Sequence, residues 1–304
     1  MSYSTEVLAD SPLAYWRLGE SSGSTIVDSS GNSRDGTYAG SYTLGASGLL
    51  GGDSDTAVST TAGIGSIAAA SWMNVGSALS IECWFSTTTS GTLGLVGRTN
   101  AGAFGSANTN TARIYLNSGQ LIFQVFTSVW QPAFTLQTTS AYSDGLRHHV
   151  VGTWDGSTAT LYVDGQVAAS TAASFTIASS ATLPFYIGKM AGFFAYNGTT
   201  DEVAYYSTCL SAARVTAHFD AGGSINQNAR IEANYLEVMY NNPVMQTESV
   251  YAEVLAAGSP LVQTETVYAE VLAGGSPLVR AELVYAEVLV SNALLPFRGW
   301  GVPI

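Results

Sequence analysis

The stretch "HHVVGTWDGSTATLYVDGQVAAS" at residues 148–170 decides the fold class. Runs rich in Val, Thr and aromatic residues are separated there by Asp155-Gly156 and Asp164-Gly165. Both dipeptides stand at hairpin positions, where a positive φ costs glycine little. The pattern therefore predicts short antiparallel strands joined by tight turns.

The same pattern extends over residues 79–222, which break into short alternating runs divided by Gly, Asn, Asp and Ser. In "LSIECWFS", Cys83 and Phe85 alternate with Glu82 and Trp84, and "ARIYLNSGQLIFQVF" is typical of a strand, a turn and a strand. Many short strands at this spacing predict an all-β fold, either a sandwich or a barrel.

Five phrases in order carry a family resemblance over residues 5–222: "LADSPLAYWRLGESSGSTIVDSSGNSRDGTYAG", "GGDSDTAV", "LSIECWF", "RHHVVGTWDGSTATLYVDGQ" and "TTDEVAYYSTCLSAARVTAHFDAG". Together they resemble a laminin-G-like, concanavalin A-like jelly-roll domain of the bacterial and phage type. The resemblance implies an antiparallel β-sandwich at residues 1–222, a scaffold used for carbohydrate binding, protein contacts and sometimes catalysis. Arg147 departs from the pattern, because the family usually has Trp before the "HHV" phrase.

Charge and composition exclude several classes of function. The net charge is −12 and the chain has 10 Lys and Arg residues, without a cluster that could hold a phosphate backbone, so no nucleic-acid partner is expected. Cys83 and Cys209 lack neighbours at metal spacing and are predicted to be free and buried. The N-terminus does not resemble a secretory signal and no apolar run is long enough to span a bilayer, so we expect neither signal-directed export nor membrane insertion.

Catalysis is not predicted. Glycoside hydrolysis needs two carboxylates that flank the sugar bond, and no Glu-x-Asp-x-Glu or similar run occurs in the chain. His148 and His149 are adjacent in a predicted strand, so their side chains point to opposite faces and cannot easily chelate one ion. These two residues and His218 are assigned structural roles.

A calcium ion is the one cofactor to consider, because domains that this sequence resembles often bind one through carboxylates at the rim. The candidate ligands are Asp53, Asp55, Asp201 and Glu202, near predicted strand ends. The alternative is that these residues cap turns, and the absence of a dense Asp-x-Asp-x-Asp loop favours it.

A glycan site would need exposed aromatic rings. The phrases "AGFFAYNG" and "SVWQPAF" offer Phe193, Phe194 and Trp130 in predicted loops. The alternative is that these rings belong to the core, where aromatic residues are more often found. Tyr196 is predicted to fill the core.

Residues 223–304 form a second module, in which "VYAEVL" begins at Val250, Val267 and Val284, 17 residues apart. Each copy predicts a strand followed by a Gly- and Pro-containing turn, and an antiparallel hairpin would place Val267 opposite Val284. Both strand faces are partly apolar, so we predict an assembly module; the alternative is a meander packed on the jelly roll. The predicted assembly residues are Tyr251, Val254, Leu255, Tyr268, Val271, Leu272, Tyr285, Val288 and Leu289.

These repeats resemble C-terminal repeats in structural proteins of tailed bacteriophages. The leading prediction is therefore a virion surface protein, either capsid decoration or a tail or fibre component, with itself and other virion proteins as partners. The alternative is a glycan-binding adhesin or receptor-binding protein of the virion that recognises a host surface glycan. A polysaccharide hydrolase is the third class.

Overall fold

Strands dominate the part of the chain that the structure describes, as the alternating sequence predicts. The computed structural model covers residues 2–99, 111–127, 132–190 and 195–223, and four short strands beyond them. The chain divides into two compact units, Met1–Ser224 and Ile225–Ile304, where the sequence predicts a boundary after residue 222. Within the described ranges, no helix has the length and apolar character needed to cross a membrane.

The elements of the first unit follow in chain order. They are α1 (Tyr3–Ala9), β1 (Ala14–Trp16), β2 (Thr25–Ile26), β3 (Gly36–Tyr38), β4 (Tyr42–Ser47), β5 (Thr56–Thr60), β6 (Gly65–Ile67), a 3-10 turn (Ser71–Met73), β7 (Leu79–Ser86), β8 (Thr92–Arg98), β9 (Ala112–Asn117), β10 (Gln120–Phe126), β11 (Pro132–Ala141), β12 (Arg147–Trp154), β13 (Thr158–Val163), β14 (Gln166–Ala172), β15 (Phe185–Ile187), β16 (Gly198–Tyr206) and α2 (Ala212–Ala221).

These strands form two antiparallel sheets packed face to face, which confirms the predicted sandwich. Sheet A has the order β14-β13-β12-β7-β16-β5-β4, with β1 paired to β16. Sheet B has the order β11-β10-β9-β8-β15-β6-β3-β2. The predicted hairpins are present: Asp164 and Gly165 have φ values of 51° and 77°, so the turn between β13 and β14 needs the left-handed region that glycine adopts without strain.

The main core lies between the two sheets and follows the predicted alternation. Ile81, Cys83 and Phe85 of β7 point into it, as does Tyr196, which is fully buried as predicted. The sheets approach closely at Gly152, where a Cβ would lie 2.6 Å from the Phe123 ring. Burial of this apolar surface is the main stabilising contribution.

A second apolar layer covers the outer face of sheet A. Trp84 and Tyr206 on the sheet pack there with Tyr3 of α1 and Phe219 of α2. Both helices begin at a serine cap, because the Ser2 and Ser211 side chains accept hydrogen bonds from backbone N–H groups of the first turn. The helices were not predicted, and they leave the central strands β7, β12 and β16 buried on both faces.

The structure shows the surroundings of Arg147 and of the two cysteines. Arg147, in place of the family's Trp, lies over the Trp84 ring and donates hydrogen bonds to the carbonyls of Leu49 and Gly223. Cys83 is buried as predicted, but Cys209, in the loop between β16 and α2, is only half-buried.

In the second unit the structure describes the strands β17 (Tyr268–Val271), β18 (Val279–Glu282), β19 (Val288–Val290) and β20 (Ala293–Leu295), paired β17 with β18 and β19 with β20. Tyr268 lies opposite Glu282, so the register differs by one residue from the predicted one. Of the predicted assembly residues, Tyr268, Val271, Val288 and Leu289 are in these strands, whereas Tyr251, Val254, Leu255, Leu272 and Tyr285 lie outside the described residues. Their role in assembly stays a prediction.

Candidate functional site

One line of paired residues crosses the outer face of sheet B from edge to edge. Each member lies opposite the next in the strand register, so all of them share the face that points away from the core. We call this line the polar row; it consists of Thr25, Thr37, Ser66, Tyr186, Gly97, Arg113, Gln124 and Thr135.

Arg113 is at the centre of the polar row. Its Nε donates a hydrogen bond of 2.8 Å to Gln124 Oε1, and the Gln124 amide in turn donates one of 2.9 Å to the Thr135 hydroxyl. The guanidinium lies 5.1 Å from the ring centre of Tyr115 and 4.9 Å from that of Phe126, within the range of cation–π attraction. Burial lowers the pKa of Arg113, against an opposing contribution from Tyr115, yet an arginine remains charged.

Gly97 separates Arg113 from Tyr186 in the polar row. A Cβ at Gly97 would lie 2.7 Å from the Cα and Cβ of Arg113, so only glycine fits at this position. The position therefore contributes no side chain between the tyrosine and the guanidinium. A small pocket of about 90 Å³ lies beside Tyr186, with Ser66 and Lys189 among its lining residues.

Three of the four predicted calcium ligands lie around Arg17, on the side of sheet A. Arg17 Nη2 is 2.8 Å from Asp53 Oδ2, 3.1 Å from Asp55 Oδ2 and 2.8 Å from Glu202 Oε1. Asp201 instead accepts a hydrogen bond of 2.9 Å from the Leu49 backbone N–H through Oδ2. The structure thus brings three of the four carboxylates to one guanidinium.

Burial dominates the acidities of the two adjacent acids in β16. It raises the pKa of Asp201 well above the usual aspartate range, and the charge of Glu202 raises it further. It also raises the pKa of Glu202 to about 7, although the hydrogen bonds from Arg17 and Tyr15 lower it. Asp201 Oδ1 has no hydrogen-bond partner among the described residues, consistent with a carboxyl group that holds its proton.

This donor set does not fit a calcium ion as it is arranged. Calcium takes six to eight oxygen ligands, and here the guanidinium of Arg17 already pairs with Asp53, Asp55 and Glu202. Across the described residues, no group of three or more His, Cys, Asp or Glu side chains has the geometry to hold a metal ion. Sequence reasoning missed Arg17; its place two residues after Tyr15, directly after the end of β1, was the available signal.

The histidines also bind carboxylates of the chain. As predicted, the two adjacent imidazoles point to opposite faces: His148 Nδ1 lies 2.8 Å from Asp164 Oδ2, and His149 Nε2 lies 3.0 Å from Glu82 Oε2. His218 of α2 approaches the same Glu82 oxygen at 3.0 Å through Nδ1.

The Glu82 cluster is an internal charge network. Burial alone would raise the pKa of Glu82, but His218 and His149 lower it; burial would lower the pKa of His218, but Glu82 and Asp10 raise it. Glu82, His149 and His218 are fully buried between sheet A and α2. They therefore stabilise the packing of α2 on the sheet and are not accessible to a substrate.

The aromatic residues predicted to bind glycans, Trp130, Phe193 and Phe194, lie outside the described residues. Sequence reasoning missed the polar row. The alternation in "ARIYL" places Arg113 and Tyr115 on the face opposite the buried Ile114, and this signal would have identified its centre.

Comparison with known proteins places the sequence in a family. The sequence profile of the concanavalin A-like lectin/glucanases superfamily matches residues 53–216. Among curated protein sequences, none is significantly similar to the chain.

Several solved structures share the fold. The binding domain of Paraclostridial Mosquitocidal Protein 1 superposes with a TM-score of 0.53 at 12% identity, over 92% of this chain and 75% of its own. The binding domain of botulinum neurotoxin DC in complex with SialylT gives 0.52 at 10% identity, over 72% and 53%. A botulinum neurotoxin type C structure gives 0.52 at 13% identity, over 73% and 53%.

This chain therefore spans about half the length of the neurotoxin structures, and identities this low show similarity of fold alone. The family profile, in contrast, covers more than half of the chain. The protein belongs to the concanavalin A-like lectin/glucanases superfamily.

Proposed function

We propose that this protein binds carbohydrate through the polar row on the outer face of sheet B. The observation that carries the proposal is the register itself, which aligns polar and aromatic side chains from strands far apart in the sequence. Sugars present hydroxyl groups beside apolar ring faces, so a site for them combines fixed hydrogen-bonding groups with aromatic rings.

The centre of the polar row is organised before a ligand arrives. Gln124 is held between Arg113 at 2.8 Å and Thr135 at 2.9 Å, so its amide has little rotational freedom to lose on binding. Tyr186 is half-buried beside the gap over Gly97, where its ring can contact a sugar face.

Binding is favoured over hydrolysis. Hydrolysis of a glycosidic bond needs a pair of carboxylates at the sugar, and the eight strands of sheet B contain no Asp or Glu. In the strands of sheet A, Glu202 pairs with Arg17, Glu82 lies against His149 and His218, and Asp201 accepts a hydrogen bond from the Leu49 backbone N–H.

Structural relatives support a binding role without assigning a ligand. One neurotoxin binding domain was solved in complex with SialylT, and cell entry of botulinum neurotoxin type C depends upon interaction with two ganglioside molecules. The family description itself includes lectins.

A glycan array probed with the full chain tests the proposal, followed by titration calorimetry on any glycan bound. Tyr186→Ala should weaken binding about tenfold, the loss expected for one aromatic contact. Tyr142→Ala is the matched control, because Tyr142 is also half-buried but contacts the His148 ring instead.

Two outcomes contradict the site. Absence of binding to every glycan on a broad array would refute the function. Binding that survives Tyr186→Ala but is lost when Trp130, Phe193 and Phe194 are all replaced by alanine would move the site to the loops predicted from the sequence.

We propose the virion surface as the location of this binding protein, on the strength of the repeats alone. Imaging of purified particles labelled on this chain tests the location. Its outcome is independent of the glycan assay.

A further inference from the structure

Sheet B is free of acidic residues in a strongly acidic protein. The chain has 22 Asp and Glu residues and a net charge of −12, yet none of the 22 is in the eight strands of sheet B. Across the polar row the one charged side chain is Arg113. An anionic ligand would therefore meet a cation there and no nearby strand carboxylate to repel it.

Arg113 has no counter-ion among the described residues. Its side chain is 6% exposed, and within the described residues it hydrogen-bonds Gln124 and contacts aromatic rings but no carboxylate. The half-buried Arg17 and Arg214 pair with carboxylates at 2.7–3.1 Å. The fully buried Arg98 also lacks a carboxylate, but its nitrogens donate hydrogen bonds to three backbone carbonyls and to Asn74 Oδ1. A buried charge without a partner is costly, so a ligand carboxylate at this position would relieve a cost that the free protein bears.

The orientation of the guanidinium suits a carboxylate. Nε is taken by Gln124, so a ligand carboxylate would form the parallel pair of hydrogen bonds with the two terminal nitrogens, in place of their contact with the Tyr115 hydroxyl. Lys189 lines the pocket beside Tyr186 and adds a second cation to this face.

We propose that the polar row binds acidic sugars, with the sugar carboxylate paired to Arg113. This inference rests on the proposed function and narrows its ligand to carboxylate-bearing sugars such as uronic or sialic acid residues.

Matched ligand pairs test the inference on the full chain. Sialyllactose is compared with lactose, and polygalacturonic acid with its carboxyl-reduced form, by calorimetry at low and high salt. The acidic member of each pair should bind about 10- to 100-fold more tightly, the range expected for a charge-assisted hydrogen bond, and salt should reduce the difference.

Arg113→Gln should remove the preference for the acidic member of each pair. Arg34→Gln is the control, because Arg34 lies over the Trp72 ring, outside the polar row. Circular dichroism establishes that both variants fold, and the ligand pairs test the wild-type chain without any variant.

Equal binding of the acidic and neutral members by the wild-type chain would overturn the inference and leave the proposed function standing. A preference that persists in folded Arg113→Gln would also overturn it. Binding to none of these four sugars would also overturn the inference, whereas the proposed function fails only if no glycan on the array binds.

Discussion

Replacing Arg17 by methionine tests how much its positive charge stabilises the folded protein by pairing with Asp53, Asp55 and Glu202, the carboxylate cluster of sheet A. Methionine keeps much of the side-chain volume but removes the cation that lies within 3.1 Å of Asp53, Asp55 and Glu202. Glu202 is fully buried, so in the variant its charge would have no compensating partner. We expect the variant to be folded but less stable.

The size of the loss follows from the exposure of each partner. Removing one member of a buried ion pair costs about 3–5 kcal/mol, and the lower end applies because the Arg17 side chain is 26% exposed and those of Asp53 and Asp55 are 23% exposed. A loss of about 3 kcal/mol lowers the Tm of a domain of this size by roughly 6–12 °C.

The loss should depend on pH. The pKa of Glu202 is raised to about 7 in the folded protein, so the folded state holds the proton more tightly than the unfolded chain, and stability falls as pH rises from the ordinary glutamate value towards 7. Removing Arg17 raises this pKa further. The Tm deficit of the variant should therefore be small at about pH 5 and larger at about pH 8.

Thermal unfolding of wild type, Arg17→Met and the control Arg34→Met, each with calcium or with a chelator, is the assay. We expect wild type to respond little to calcium, whereas the variant, with its carboxylates freed, should gain stability from it. The reasoning is wrong if both arginine variants lose stability equally at every pH, or if calcium stabilises wild type more than Arg17→Met.

Three further predictions concern other parts of the chain. Glu82→Gln should lower the free energy of unfolding by roughly 3–5 kcal/mol. In wild type, part of the stability is lost as pH rises through the raised pKa of His218, and the variant should lack this pH-dependent part. Denaturant titration across pH measures both effects. Gly97→Ala should cost about 1–3 kcal/mol and weaken glycan binding, whereas Gly76→Ala, with nothing within 4 Å, should do neither. A chain lacking residues 223–304 should be monomeric by light scattering while the full chain oligomerises, and equal monomeric masses would count against an assembly role for the repeats.

The sandwich could be predicted because its determinants are local. Alternation within β7 separates Ile81, Cys83 and Phe85 from Glu82 and Trp84, and two Asp-Gly turns mark the ends of strands. The helices were harder to predict, because α1 and α2 have 7 and 10 residues and are stabilised mainly by packing on sheet A. Three of the four predicted carboxylates, Asp53, Asp55 and Glu202, do lie together. Their cation was not predicted, because Arg17 precedes the first of these acids by 36 residues.

The polar row could not be predicted from alternation alone. Alternation assigns Arg113 and Tyr186 to outward faces, but it does not determine which strands are neighbours. The row depends on β15 pairing between β6 and β8, which brings Tyr186 opposite Gly97 although 89 residues separate the two positions. Such pairings are fixed by the whole sandwich, since each strand must bury one face against the other sheet. A binding site made from single residues of many strands can therefore be identified only once the strand order is known. In the sequence, the feature that indicates it most clearly is that the strands of sheet B contain no Asp or Glu although the chain is acidic.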